Sequence, residues 1–204
     1  MLKLKDTYNA IAEDWAATYA ADTWWIEGTK QFAKLLKPGA SVLDVGCGVG
    51  DKTQFLAEQG LQACGLDFSE KMVEVAKSRF QHLSFSQQDI YQLTLPDNSV
   101  DGIFLQAVLL HVPKRQVPQV LKGLNRVLKP GGLIYVAVKE LQPGQPDEVT
   151  RKEIVRGVEY ERFFSNFTQP ELQSLLSDAG LQTIVTNVLP SRTSSWLQYI
   201  AQKA

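Results

Sequence analysis

Val42-Leu43-Asp44-Val45-Gly46-Cys47-Gly48-Val49-Gly50-Asp51 is the stretch on which the fold turns. The turn residues Lys37-Pro38-Gly39 introduce it, and Ser41–Val45 then reads as a buried strand, apolar except for one acid. Gly46, Gly48 and Gly50 follow at every second position. Glycine tolerates positive φ and has no Cβ, so such a loop turns tightly and lets backbone lie against a ligand. Asp51–Gln59 carries Phe55 and Leu56 and stops at Gly60, which predicts a helix with a glycine C-cap. A strand, a glycine loop and a helix in that order put the loop at the carboxyl edge of a parallel sheet, where doubly wound folds bind nucleotides.

Working outward, short apolar runs alternate with amphipathic stretches. Ala63–Asp67, Leu83–Gln87, Gly102–Leu105 and Leu133–Val138 read as further strands, with helices over Ser69–Phe80 and Lys114–Leu128. Thr168–Ala179 is a helix. Gln182–Val188 and Trp196–Ala201 have no helix between them and so pair antiparallel. The fold class expected is α/β, a Rossmann-like doubly wound seven-stranded sheet. It is mostly parallel, with a C-terminal antiparallel hairpin and an N-terminal helical extension. In that extension Tyr8, Ile11, Trp15 and Tyr19 recur at spacings of three and four, which places them on one helix face.

The length of 204 residues suits one domain. The net charge of −1 supplies no general attraction to nucleic acid or anionic lipid, so neither is expected as a partner. Cys47 and Cys64 are the only cysteines, which excludes a disulfide framework and a multi-cysteine metal site; no metal is expected. No apolar run reaches the ~20 residues of a membrane span, and the first residues lack a signal-peptide core. The expected compartment is a reducing cytoplasm.

Two acids narrow the ligand. The pyrophosphate fingerprint is G-x-G-x-x-G, but Asp51 occupies the place its last glycine would need, and Asp44 ends the strand two residues before the loop. A carboxylate there repels a pyrophosphate and welcomes a cation, directly or through water. S-adenosylmethionine carries a sulfonium and an ammonium and no phosphate, so the charge logic favours it over a nicotinamide dinucleotide. Asp67 then ends the second strand about 20 residues past the loop, the spacing at which an acid meets ribose hydroxyls.

The motifs D-V-G-C-G-V-G, G-L-D-F-S, Q-Q-D-I and L-K-P-G-G-L, in this order, resemble the class I S-adenosylmethionine-dependent methyltransferase family, in its small-molecule, ubiquinone-biosynthesis-like branch. The resemblance implies S-adenosylmethionine as cofactor and S-adenosylhomocysteine as product. It implies cofactor-facing backbone at Gly46, Cys47 and Gly48, and a ribose acid at Asp67. Phe68 and Met72 would lie on the adenine faces, Asp89 and the Ile90 backbone at its edge, and Gln106 near the methionine end. The chain then divides into a helical lid or extension (1–37), a cofactor-binding core (38–140), an acceptor-binding insertion (141–166) and a final helix and hairpin (167–204).

The acceptor expected is a small molecule. The continuation of the fourth strand, Leu105-Gln106-Ala107-Val108-Leu109-Leu110-His111, lacks the motifs of DNA amino-methyltransferases, cytosine C5 enzymes and metal-dependent catechol enzymes. His111 is the one titratable ring near the expected methyl site, and serves either as a base or to satisfy a backbone carbonyl. Lys139, Tyr160 and Arg162 either orient an anionic acceptor or belong to a solvated connection. Trp15 and Tyr19 either close over the cofactor or pack in the core. The Trp24-Trp25 pair suits a partner surface or an acceptor lid. A cofactor-binding sensor without transferase activity and a nicotinamide-dependent oxidoreductase are the alternative functions; sequence gives no oligomeric state.

Overall fold

The computed structural model describes residues 2–19, 23–155, 158–190 and 195–204. Its main sheet contains β1 (Ser41–Val45), β2 (Gln62–Asp67), β3 (Ser84–Gln87), β4 (Val100–Gln106), β5 (Leu128–Lys139), β8 (Leu181–Pro190) and β9 (Ser195–Lys203). The spatial order is β3-β2-β1-β4-β5-β9-β8, so the chain starts at the middle, winds outward one way and then the other. The pairs β1–β2, β1–β4, β2–β3 and β4–β5 are parallel, while β5–β9 and β8–β9 are antiparallel. The expected α/β class and terminal hairpin are both present.

Period-two alternation explains the two packed faces. Leu43, Val45, Ile103, Leu105, Ile134 and Val136 point one way, beneath α5 (Val117–Val127) and α6 (Gln169–Asp178). Val42, Phe104, Tyr135 and Ala137 point the other way, beneath α2 (Ile26–Leu35) and α3 (Asp51–Glu58). On α5 the buried residues Val117, Val120, Leu121, Leu124 and Val127 form a single helical stripe. The helix α6 starts in a capping box, with Thr168 and Glu171 each bonding the other's backbone. α4 (Glu70–Arg79) is capped by Ser69, whose hydroxyl accepts from Met72 N–H.

Three expectations change. The N-terminal extension is two helices, α1 (Leu2–Tyr19) and α2, and α2 packs Phe32 fully inside. The fifth strand begins at Leu128, five residues before Leu133, with an irregularity in its pairing to β4 between Val100 and Gly102. The 141–166 insertion holds a separate antiparallel pair, β6 (Glu148–Val155) and β7 (Val158–Ser165). Among the described residues no helix is long and apolar enough to cross a membrane.

Candidate active site

The carboxyl ends of β1, β2, β4 and β5 open into one cavity of about 680 Å³. The loop Gly46–Val49 forms its floor, and Gly46 and Gly48 both have positive φ, 71° and 55°. A Cβ on Gly46 would strike the Val108 side chain, whereas one on Gly48 would meet nothing within 4 Å. Glycine is therefore required at position 46 by packing as well as by backbone, and at 48 by backbone alone. Cys47 lines the cavity, but burial raises its thiol well above the usual range, so it is an inert neutral group.

Asp67 meets the loop at the end of β2. Its two carboxylate oxygens accept from Gly48 N–H at 3.0 Å and Ser69 N–H at 2.9 Å. Burial still pushes its pKa up to about 6 against those bonds. Phe68, Met72, Asp89 and Ile90 stand around the same end of the cavity. Asp89 lines the cavity and also accepts from Tyr91 N–H in a local turn.

Asp44 departs from expectation. It is 1% exposed and does not line the cavity. Its carboxylate lies beneath the loop and accepts from the Thr53 hydroxyl at 2.6 Å, tying β1 to α3, and burial raises its pKa to about 6. Gln106 at the end of β4 is buried and lines the cavity, and neither its amide oxygen nor its nitrogen has a partner among the described residues. The next residue, Ala107, has φ +58°, a strained conformation for a residue with a Cβ.

α1 crosses this edge. Tyr8 and Trp15 line the cavity in edge-to-face contact, with ring centroids 5.5 Å apart. Three consecutive residues hold the helix down. The Thr7 hydroxyl donates to Glu161 O, the Tyr8 ring reaches His111, and Asn9 Oδ1 accepts from the Ser69 hydroxyl. Trp15 also packs on Ile11, Val49 and Met72, so its ring meets the cavity and the core together. The Tyr19 side chain lies outside the described residues.

His111 has both ring nitrogens engaged. Nδ1 is 2.7 Å from Phe163 O, which can only accept, so Nδ1 carries the proton. Burial holds the ring near a pKa of about 4, hence neutral, and Nε2 accepts from the Tyr8 hydroxyl at 2.8 Å. Arg162 Nη1 donates to the same hydroxyl at 3.4 Å, and Nη2 pairs with Glu153. Lys139 and Arg162 line the cavity; Tyr160 does not, and packs instead with Ile11, Val49 and Met72. Trp24 and Trp196, stacked at 4.2 Å, and Phe164 complete this end. Trp25 lies across Phe55 and also lines the cavity, so the tandem tryptophans face inward. Trp196 carries no signal in the sequence, because register alone brings it beside Lys139.

A family described as a methyltransferase domain matches residues 43–136. Among curated relatives, phosphoethanolamine N-methyltransferase of Triticum aestivum is 31% identical over 188 residues, which cover 89% of this chain and 35% of the relative. Demethylmenaquinone methyltransferase of Staphylococcus haemolyticus is 40% identical over 118 residues, covering 54% of this chain and 48% of the relative. The chain thus spans between about a third and a half of these relatives' lengths. The Burkholderia thailandensis 1,6-didemethyltoxoflavin-N1-methyltransferase, solved with 1,6-didemethyltoxoflavin and S-adenosylhomocysteine, superposes with a TM-score of 0.79 at 20% identity, over 100% of this chain and 88% of that one. At that identity the likeness is one of fold.

Proposed function

We propose that this chain, whose residues 43–136 match a methyltransferase-domain family, is an S-adenosylmethionine-dependent methyltransferase that moves a methyl group from that cofactor to a small-molecule acceptor by in-line displacement. The carrying observation is Gln106. A buried amide with two unpartnered atoms costs free energy until a polar ligand meets it. It stands in one cavity with the Gly46–Gly48 backbone and Asp67 on one side and the Tyr8–His111–Arg162 group on the other.

The residues fit the cofactor. Open space above Gly48 admits a ligand against bare backbone. Asp67 would hold the ribose hydroxyls, Phe68, Met72 and Ile90 the adenine faces, Asp89 the adenine edge, and Gln106 the methionine end. When bound, S-adenosylmethionine supplies an activated methyl on a sulfonium, so the main task of the chain is alignment and exclusion of water. Trp15 and Tyr8 on α1 would do the excluding. Asp44 would act through the loop it supports, not by contact.

The Tyr8 hydroxyl, rather than the His111 ring, would face the acceptor. His111 Nε2 orients that hydroxyl, and could take its proton if the acceptor gives one up. Lys139 and Arg162 would form the acceptor wall, with Tyr160 supporting α1 behind it.

Thermal denaturation with S-adenosylhomocysteine and with NAD tests the cofactor, since a ligand of the native state must raise its apparent stability. S-adenosylhomocysteine should stabilise the chain; stronger stabilisation by NAD would sink the proposal. Transfer of labelled methyl across an acceptor panel then separates an enzyme from a cofactor sensor.

A further inference from the structure

We infer that Lys139 is the counter-ion of the methyl acceptor, which therefore carries an anionic group, a carboxylate or a phosphate, bound between Phe164 and Trp196. The inference rests on the acceptor end assigned above and divides the labour within it.

Lys139 is the last residue of β5, and antiparallel register sets it opposite Trp196 on β9. Its ammonium lies 4.9 Å from the Phe164 ring centre and 5.9 Å from that of Trp196. Among the described residues no carboxylate pairs with it and no hydrogen-bond acceptor reaches its Nζ. Aromatic faces attract a cation but do not neutralise it. A partly buried charge without an ionic partner is costly to keep, and it is compensated only when something of opposite sign arrives.

The surroundings are short of that opposite charge. Arg151 and Arg162 also face the Phe164 ring, at 5.4 and 5.3 Å. Glu153 is the carboxylate that pairs here, and it is taken by Arg162. Arg162 further donates to Tyr8, so its charge and both of its terminal nitrogens are committed. Its Nε–H, by contrast, is buried without an acceptor. Three cations and one carboxylate thus surround the ring, and Lys139 is the one among them that lines the cavity with its charge unanswered. Burial and the two arginines draw its pKa below the usual lysine value, as expected where positive charge is in excess.

The test titrates the S-adenosylhomocysteine-saturated full chain with inorganic phosphate, benzoate or neutral benzamide at constant ionic strength, following tryptophan fluorescence. Wild type and Lys139→Arg should give saturable changes with an anion, while Lys139→Met should bind it about tenfold more weakly or worse, the loss expected for a charge-assisted bond. Benzamide should give no saturation. Saturation by phosphate alone identifies a phosphorylated acceptor, and by benzoate alone a carboxylic acid. Absence of saturation by either anion, or equal anion affinity in Lys139→Met, overturns the inference. Calorimetry of S-adenosylhomocysteine on the same proteins keeps the readings apart. Its failure on wild type would strike the cofactor assignment, whereas normal binding by Lys139→Met shows that variant folded.

Discussion

The Tyr8 hydroxyl lies 2.8 Å from Nε2 of His111, joining the first helix to the turn that follows β4 across 103 residues of sequence. Burial pushes Tyr8 up to about 12 and holds His111 near 4, so the pair is neutral through the physiological range. Tyr8→Phe should lower kcat, by about 10²–10⁴-fold if the acceptor must lose a proton, and leave cofactor affinity nearly unchanged. Neither group changes charge between pH 5 and 9, so neither should produce a limb there in the pH dependence of kcat. A limb near pH 6.5 that vanishes in a His111 variant would contradict this arrangement.

Gln106 and Asp67 should respond oppositely in stability but alike in binding. Gln106→Leu removes a buried amide without partners and should stabilise the ligand-free chain by about 1–3 kcal/mol. Asp67→Ala removes the acceptor of two loop N–H bonds and should not stabilise it. Both should weaken S-adenosylhomocysteine, Asp67→Ala by roughly 1.5–3 kcal/mol, the range for bonds to a charged group. Calorimetric affinities beside urea titrations give both numbers. An unchanged dissociation constant in Asp67→Ala would remove that residue from the ribose.

Asp44 carries a pH signature. Its pKa rises from 3.8 to about 6 on folding, because burial outweighs the Thr53 bond. Folding therefore favours its protonated form, and the stability it contributes is fully present below pH 3.8 and lost as pH rises through about 6. Asp44→Asn fixes the neutral state and leaves an oxygen for Thr53. Its stability relative to wild type should climb between pH 4 and 7 by up to roughly 3 kcal/mol, at ~1.4 kcal/mol per pK unit. Urea unfolding across that range measures the difference, and a pH-independent offset would mean that Asp44 does not titrate on folding.

The first helix should be protected by cofactor. Tyr8 and Trp15 line the cavity, and Asn9 bonds Ser69 at the start of α4 beside Asp67. Hydrogen exchange over residues 4–17 should slow when S-adenosylhomocysteine is added, since such covering segments open locally at low cost. Trp15→Ala should lose both affinity and stability, because its ring meets the cavity and the Ile11–Met72 cluster together. Loss of stability alone, with unchanged exchange, would make the helix a core element.

What the sequence by itself determined is what short stretches of chain encode. Alternating apolar runs and amphipathic helices specify a parallel sheet with crossovers, and Gly46, Gly48 and Gly50 supply the positive φ that the loop needs. The place of Asp67 beside the glycine loop was legible because the end of the second strand meets the loop after the first in a doubly wound sheet. The tertiary structure decided the rest, because it depends on contacts between distant residues. Asp44 reads as a ligand-facing acid, yet the loop folds over it and gives it to Thr53. β6 and β7 were hidden because Thr150, Arg151, Lys152 and Glu153 present no apolar stripe, so pairing comes from backbone bonds and from packing on α1. Within β7, period two puts Tyr160, Arg162 and Phe164 on one face, but the crossing helix covers Tyr160 and leaves the other two on the cavity. Lys139 and Trp196 are 57 positions apart, and only the antiparallel register of β5 and β9 makes them neighbours.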